Sequence, residues 1–134
     1  MIFVDASALV AVLNDEPEAA AFIAVLETET TKLTSEIAVF EAAAAIARER
    51  QVPSQDAESA VRALVTEADI EILAITTDIG GMAIEAFQKY GKGRHPARLN
   101  MGDCFAYACA RSRGARLLYK GDDFPLTDMA SAQP

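Results

Sequence analysis

Apolar residues are distributed in two patterns along the chain. Short apolar runs bounded by polar or turn-forming residues predict buried strands, at residues 2–5 (IFVD), 31–35 (TKLTS), 70–75 (IEILAI) and 115–120 (ARLLYK). Longer stretches between them predict helices, at residues 7–14, 17–27, 36–51, 55–68, 77–90 and 101–112. The segment PLTDM, residues 125–129, predicts a short edge strand.

Residues that favour helix ends stand between these segments. Cap-forming side chains occur where predicted helices begin, at Ser7, Ser54, Thr76 or Thr77, and Asn100. Gly114 stands where the last helix is expected to end. Because short apolar strands alternate with helices, the sequence predicts a parallel sheet covered on both faces. We expect one domain over residues 1–134, with a three-layer α/β/α fold and a mainly parallel sheet of four or five strands.

The composition narrows the class of protein. The net charge is −8, which argues against a large general nucleic-acid-binding surface but is compatible with local phosphate contacts and with a basic protein partner. No apolar run approaches the roughly 20 residues that a membrane span needs, and the first residues show no basic leader or signal-type segment. We therefore expect a soluble cytoplasmic protein without a membrane partner.

The cysteines and the histidine do not form a recognisable site. Cys104 and Cys109 are five positions apart in one predicted helix, so their side chains do not face each other for a disulfide. With His95 as the single histidine, a Cys/His zinc site is not expected. We expect both thiols to be small core groups in a reducing compartment.

Carboxylates follow two of the predicted strands. Asp5 comes directly after the first strand, and Asp122 and Asp123 follow the last. In open α/β sheets ligands bind outside the carboxyl ends of the strands, so these groups converge if the two strands are neighbours.

Two further acids stand in helices, and each has a simpler interpretation. Asp103 lies about three residues into the helix capped by Asn100, where a negative charge also favours the helix dipole. Glu41 lies in the apolar stretch VFEAAAAIA, where a buried salt bridge to Arg48 is the alternative. Gathered in one cleft, such acids would repel one another unless a cation held them. Carboxylates without histidine or thiolate favour Mg²⁺ or Mn²⁺, a donor set used for phosphodiester cleavage.

At these residues the chain resembles the PIN-domain ribonucleases, and among them the VapC-type toxins of type II toxin–antitoxin pairs. The resemblance rests on MIFVDAS at the start, Glu41 in the third helix, LNMGDCFAYACAR, and LLYKGDDFPLTD, in that order. It covers essentially the whole chain. It implies a PIN fold and a Mg²⁺- or Mn²⁺-dependent endoribonuclease that hydrolyses RNA and inhibits translation.

The resemblance also implies roles for individual residues. Asp5, Glu41 and Asp103 match the first three acids of the family site, with Asp122 favoured as the fourth and Asp123 assigned to the turn or to a water-mediated contact. Ser7 matches a supporting position from which it would donate a hydrogen bond to Asp5 or to a metal-bound water. A plain helix cap is the alternative for Ser7.

A basic segment precedes the helix of Asp103. Lys92, Arg94 and Arg98 lie in GKGRHPARLN, residues 91–100, and are candidates for contacts with RNA phosphates at the rim of the cleft. An ordinary solubilising loop is the alternative. Nothing marks His95 in this segment as a catalytic base.

The resemblance implies partners as well as chemistry. It predicts a cognate VapB-type antitoxin whose tail covers the cleft, a homodimer, and DNA contact only through the antitoxin. The apolar residues 19–26 were considered either as part of the antitoxin groove or simply as core.

Two other classes of protein are alternatives to this interpretation. A PIN-like module without activity would serve only as a protein-binding scaffold, but all the matched acids are present. A phosphoacceptor signalling domain would need an acceptor after a middle strand, and Asp78 falls instead within the next helix turn.

Overall fold

The computed structural model describes residues 1–133 and contains four strands and six α-helices, with two helices between each pair of successive strands. The strands are β1 (Ile2–Val4), β2 (Lys32–Ser35), β3 (Glu71–Leu73) and β4 (Arg116–Leu118). The helices are α1 (Ala6–Leu13), α2 (Ala19–Thr28), α3 (Glu36–Arg50), α4 (Ser54–Glu67), α5 (Thr77–Tyr90) and α6 (Met101–Arg113).

All four strands pair in parallel, in the order β3-β2-β1-β4. β1 and β4 are direct neighbours, with Val4 opposite Leu118. The backbone N–H of Asp5 extends this pairing by donating to the carbonyl of Leu118 at 3.0 Å. The carboxyl ends of the first and last strands therefore meet at one edge of the sheet, which is the condition under which the sequence analysis expected their carboxylates to converge.

Successive residues of β1 face opposite sides of the sheet. Phe3 packs into a core shared with α5 and α6, whereas Ile2 and Val4 pack into a second core beneath α1 to α4. Since strand side chains alternate between faces, a strand this apolar needs a helical layer on each side. The predicted three-layer α/β/α fold is thus confirmed, with four strands.

Helix ends follow the predicted chemistry in most places. Ser35, Thr76 and Asn100 accept hydrogen bonds from the backbone N–H groups of α3, α5 and α6, respectively. Gly114 ends α6 in the left-handed region, with φ at 63°. Ser54 differs from the prediction, because it is the first residue of α4 and makes no cap hydrogen bond, while Pro53 occupies the cap position.

The edge strand predicted at residues 125–129 is wrong. Phe124–Leu126 instead forms a short 3₁₀-helix, which a proline in its first turn favours, and the buried Phe124 anchors it. The chain meets the sheet only later, through a single bridge between Ser131 and Leu117.

The structure also bears on the predictions for the two cysteines and for membrane-spanning helices. Cys104 and Cys109 are both free and buried in α6, as predicted. Within residues 1–133, no helix has the length and apolar character needed to cross a lipid bilayer.

Candidate active site

Asp5 connects β1 to α1 and is almost fully buried, with 5% of its surface exposed. It caps α1, because the backbone N–H of Ser7 donates to its Oδ2 at 3.0 Å. The Ser7 hydroxyl donates to the same oxygen at 2.6 Å. Burial raises the pKa of Asp5, and the hydrogen bonds from Ser7 offset part of that rise. A buried carboxylate is therefore held in one orientation, with Oδ1 outside the Ser7 contact.

Ser7 joins Asp5 to the segment after β4. Its Oγ accepts a hydrogen bond from the backbone N–H of Lys120 at 2.9 Å. The structure thus contains the predicted hydrogen bond from Ser7 to Asp5, whereas the alternative of Ser7 as the helix cap is wrong, because Asp5 takes that position. The contact with Lys120 was not foreseen, since a main-chain donor carries no sequence signal.

Asp103 lies in the first turn of α6 and forms a reciprocal cap with Asn100. Its backbone N–H donates to Asn100 Oδ1 at 2.8 Å, and its Oδ2 accepts from the backbone N–H of Asn100 at 3.1 Å. Burial raises the pKa of Asp103 to about 6, against the lowering effect of the Asn100 hydrogen bond, and the charges of Asp5 and Asp123 add to the rise. The carboxylate is therefore both a helix cap and a neighbour of other acids.

Glu41 projects from the second turn of α3 and is half-buried. Burial, followed by the charges of Asp5 and Asp103, raises its pKa to about 7. No ion pair involves Glu41 within residues 1–133, so the alternative of a salt bridge to Arg48 is wrong. Asp5, Glu41 and Asp103 come from three distant segments, yet the charge of Asp5 reaches both Glu41 and Asp103 and disfavours their ionised forms.

The identity of the fourth acid stays a prediction. Asp122 and Asp123 are both exposed after the turn at Gly121, but it is the charge of Asp123 that acts on Asp103. Asp123 directly precedes the buried Phe124, which fixes its place near α6. This charge effect is the observation that bears on the choice between the two, and the predicted Asp122 and its neighbour Asp123 both stay candidates for the fourth acid.

The donor set of this cleft suits a hard divalent cation. It consists of carboxylates alone, and no Lys or Arg pairs with Asp5, Glu41 or Asp103 in the described part of the chain. No three Asp, Glu, His or Cys side chains among residues 1–133 already stand in metal-binding geometry. An ion bound here would therefore draw the carboxylate ends inward or complete its shell with water.

Open space lies beside these carboxylates. A cavity of about 380 Å³ is lined by Ser7, Glu41, Lys120 and Gly121, together with Glu16 and Glu49. A larger cavity of about 510 Å³ lies between α3 and α4 and contains none of the site carboxylates. We assign the chemistry to the smaller cavity because Glu41 and Ser7, the hydrogen-bond partner of Asp5, line it.

The basic segment is anchored but presents its cations to solvent. Ala97 and Leu99 are fully buried, whereas Lys92, Arg94 and Arg98 are exposed. The Arg94 guanidinium lies over the Phe87 ring, 5.3 Å from its centroid. The placement of these cations at the rim of the cleft stays a prediction.

His95 has a structural role in this segment. Its Nδ1 accepts from the backbone N–H of Ala97 at 3.0 Å, and its ring packs edge-on against Tyr90 with the centroids 5.1 Å apart. These contacts agree with the reading of His95 as a loop residue rather than a catalytic base.

Sequence reasoning missed Gly102. This residue precedes Asp103 in the first turn of α6, and its Cα faces the carboxylate of Glu41. The available signal was a glycine inside a helix next to a candidate acid, at a position where glycine is otherwise unfavourable.

Known proteins similar to this chain share its length and fold. The model of the PIN domain matches residues 2–129. Ribonuclease VapC30 of Mycobacterium tuberculosis is 40% identical over 131 residues, which cover 96% of this chain and 95% of that protein.

Two solved structures share the architecture. Mycobacterium tuberculosis VapC20, described as a toxin that cleaves the sarcin–ricin loop, has a TM-score of 0.79 at 20% identity, with 100% of both chains covered. A toxin–antitoxin complex from Klebsiella pneumoniae has a TM-score of 0.65 at 19% identity, covering 92% of this chain and 90% of that chain. At these identities the two structures support the fold alone.

Proposed function

Because this chain belongs to the PIN domain family and is related to the VapC ribonucleases over nearly its full length, we propose that it is a metal-dependent endoribonuclease, the toxin of a toxin–antitoxin pair. One observation carries the proposal. The charges of Asp5 and Asp103 raise the pKa of Glu41, the charge of Asp5 raises that of Asp103, and within residues 1–133 no cationic side chain pairs with any of the three.

The chain's own residues would hold and orient a bound Mg²⁺ or Mn²⁺. Asp5 and Asp103 would be the main ligands, because Ser7 and Asn100 already hold one oxygen of each. Glu41 and Asp123 would complete the site directly or through water. The bound ion supplies Lewis-acid activation of water and of the phosphate, so cleavage needs no covalent enzyme intermediate.

Purified protein incubated with single-stranded and looped RNA tests this function. Cleavage is expected with Mn²⁺ or Mg²⁺ and should stop in EDTA. Asp103→Asn should abolish metal-dependent cleavage while leaving the far-UV circular dichroism unchanged. Asp78→Asn is the matched control, because Asp78 also lies in the first turn of a helix but is exposed and outside the cleft.

Unchanged cleavage by Asp103→Asn would refute the assignment of the site. Metal binding by the parent protein without cleavage of any RNA would favour the inactive protein-binding module instead. The phosphoacceptor reading does not agree with membership of the PIN domain family.

We propose that the antitoxin binds between α2 and α4. A cavity of about 470 Å³ there is lined by the apolar Val12, Ile23 and Leu64, by the acidic Glu27, Glu67 and Asp69, and by one cation, Lys32, whose Nζ donates to the carbonyl of Leu26. Within residues 19–26, Phe22 and Leu26 are core, whereas Ile23 is 40% exposed. An apolar groove with acidic margins suits a basic amphipathic segment. Ile23→Asp should reduce co-purification with a co-expressed antitoxin. We expect any contact of the pair with DNA to be made by the antitoxin.

We also propose a homodimer through the exposed apolar side chains of α5 and α6. Ile84 and Met101 are 72% and 68% exposed, and Phe87 lies beside them around a cavity of about 330 Å³. Because the chain carries a net charge of −8, its self-association requires a surface poor in charge, such as this one. Ile84→Glu should shift sedimentation towards the monomer.

We expect the protein to act in the cytoplasm.

A further inference from the structure

We propose that Gly102 is a positioning residue of the site, because only the absence of a side chain there admits the Glu41 carboxylate to the cleft. The inference rests on the proposed metal-dependent function. A Cβ atom built on Gly102 would lie 2.0 Å from Oε2 of Glu41 and 2.3 Å from both Oε1 and Cδ. Real Cβ atoms essentially never approach other heavy atoms within 3.0 Å.

The backbone does not explain this glycine. Gly102 is the second residue of α6, and it is not among the residues with positive φ. Gly114, by contrast, has φ at 63° and ends the same helix in the left-handed region. Within a helix, glycine costs about 0.5–1 kcal/mol relative to alanine. The contact with Glu41 is therefore the feature of position 102 that requires glycine.

Two other glycines provide the contrast. Gly80 and Gly81 also lie within a helix, α5, and a Cβ on either would have no neighbour within 4 Å. A helical glycine is thus no general sign of close packing in this protein. At position 102 alone of the three, the space that a side chain would fill holds a site carboxylate.

The nature of the crowded atoms predicts the outcome of a substitution. All three belong to the end of the flexible Glu41 side chain and none to the backbone. An alanine at 102 is therefore accommodated when the carboxylate swings away, with α3 and α6 remaining in place. The helix keeps or gains stability, whereas the cleft loses one of its carboxylates.

The test compares Gly102→Ala with Gly81→Ala by calorimetric titration of the RNA-free protein with Mn²⁺ and by thermal melting in EDTA. Gly102→Ala should bind Mn²⁺ about 10-fold more weakly or worse, the usual range for a disturbed metal ligand. It should melt at the same temperature as the parent or higher. Gly81→Ala should keep the parent's affinity, since it adds the same methyl group to open space.

A double-mutant cycle shows whether Gly102 acts through Glu41. In a Glu41→Ala background, adding Gly102→Ala should cause no further loss of Mn²⁺ affinity. Parent-like affinity in Gly102→Ala would overturn the proposal. An equal loss with and without the Glu41 carboxylate would also overturn it, because Gly102 would then act by another route.

A crystal structure of Gly102→Ala separates this proposal from the proposed function. The Glu41 carboxylate should have moved away from Asp5 and Asp103, whether or not the protein cleaves RNA. If the carboxylate instead kept its place and α6 moved to accommodate the methyl group, Gly102 would not be the positioning residue. Absence of RNA cleavage by the parent would count against the nuclease but would leave this result standing.

Discussion

The carboxylates at the two ends of the β1–β4 strand pair differ in their ion pairing and in the direction of their pKa shifts. At the amino ends of the strands, Glu29 pairs with the amino terminus of Met1 at 3.2 Å and with Arg116. Although burial opposes the change, the hydrogen bond from the amino terminus and the charge of Arg116 lower the pKa of Glu29. At the carboxyl ends, Asp5 and Glu41 have no such cation within residues 1–133, and their pKa values are raised.

The difference separates two uses of the same chemical group. A carboxylate that is paired with a cation of its own chain stabilises the fold weakly, and its charge is already neutralised. Carboxylates gathered without one hold unfavourable charge that a metal ion relieves. The acids that weaken the metal-free fold are therefore those to test for function.

The largest contrast is expected in catalysis. Asp5→Asn removes a charge from the cleft and should lower metal-dependent RNA cleavage by about 100-fold or more. Glu29→Gln removes a charge from the opposite edge and should change cleavage by less than about 2-fold. Initial rates with Mn²⁺ in excess measure both. Equal losses in the two variants would mean that the two edges do not differ in function.

The next contrast is the pH dependence of stability without metal. The pKa of Glu41 is about 7 in the folded protein against an ordinary 4.5, so the folded state binds this proton more tightly than the unfolded state. Its contribution favours folding below about pH 4.5 and is lost as the pH rises through about 7. Glu41→Gln should therefore be more stable than the parent at pH 8, by about 2 kcal/mol, with no difference at pH 4.

Urea unfolding in EDTA at the two pH values measures this difference. Saturating Mn²⁺ should reverse it, because the ion stabilises the form that retains the Glu41 carboxylate. A parent protein as stable as Glu41→Gln at pH 8 in EDTA would show that no unfavourable charge is held at this edge.

A smaller effect is expected from cations that would contact RNA outside the cleft. Replacing Lys92, Arg94 and Arg98 together with alanine should weaken RNA binding about 10-fold at moderate salt. It should also reduce the slope of log affinity against log salt by up to about 2, the value for three lost contacts with a single strand. The exposed Lys89, Arg111 and Arg113 provide a control of equal charge. An unaltered slope would show that RNA enters elsewhere.

The smallest effect belongs to the paired edge itself. Glu29→Gln should lower the free energy of unfolding by less than about 1 kcal/mol at pH 7. Since the folded pKa of Glu29 is lowered, this contribution is present above its ordinary pKa and lost as the pH falls through the folded value. Its sign is thus opposite to that of Glu41. A gain of stability on removing Glu29 would contradict the comparison.

Local chemistry predicted most of the fold. Buried apolar runs identified all four strands, and cap residues such as Asn100 and Gly114 marked α6 to within a residue. IEILAI was predicted too long, because Ala74 and Ile75 are exposed beyond the edge strand β3. The resemblance to PIN-domain ribonucleases is confirmed by the family match over residues 2–129.

The finer features of the site depend on distances that no sequence window contains. The sequence alone does not distinguish Asp122 from Asp123, because they are adjacent residues of the same type. Their surroundings differ through the turn at Gly121 and the buried Phe124. The contact of Gly102 with Glu41 joins two helices about 60 residues apart in the chain, so it required the packed structure.

The pairing of β1 with β4 also determines when the cleft can form during synthesis. Asp5 is made more than 100 residues before its neighbouring strand, residues 116–118, and before Asp123. The central strand must wait for that partner across more than 100 intervening residues. We therefore expect the nascent chain to remain harmless to the RNA around it until residues 116–123 have been made.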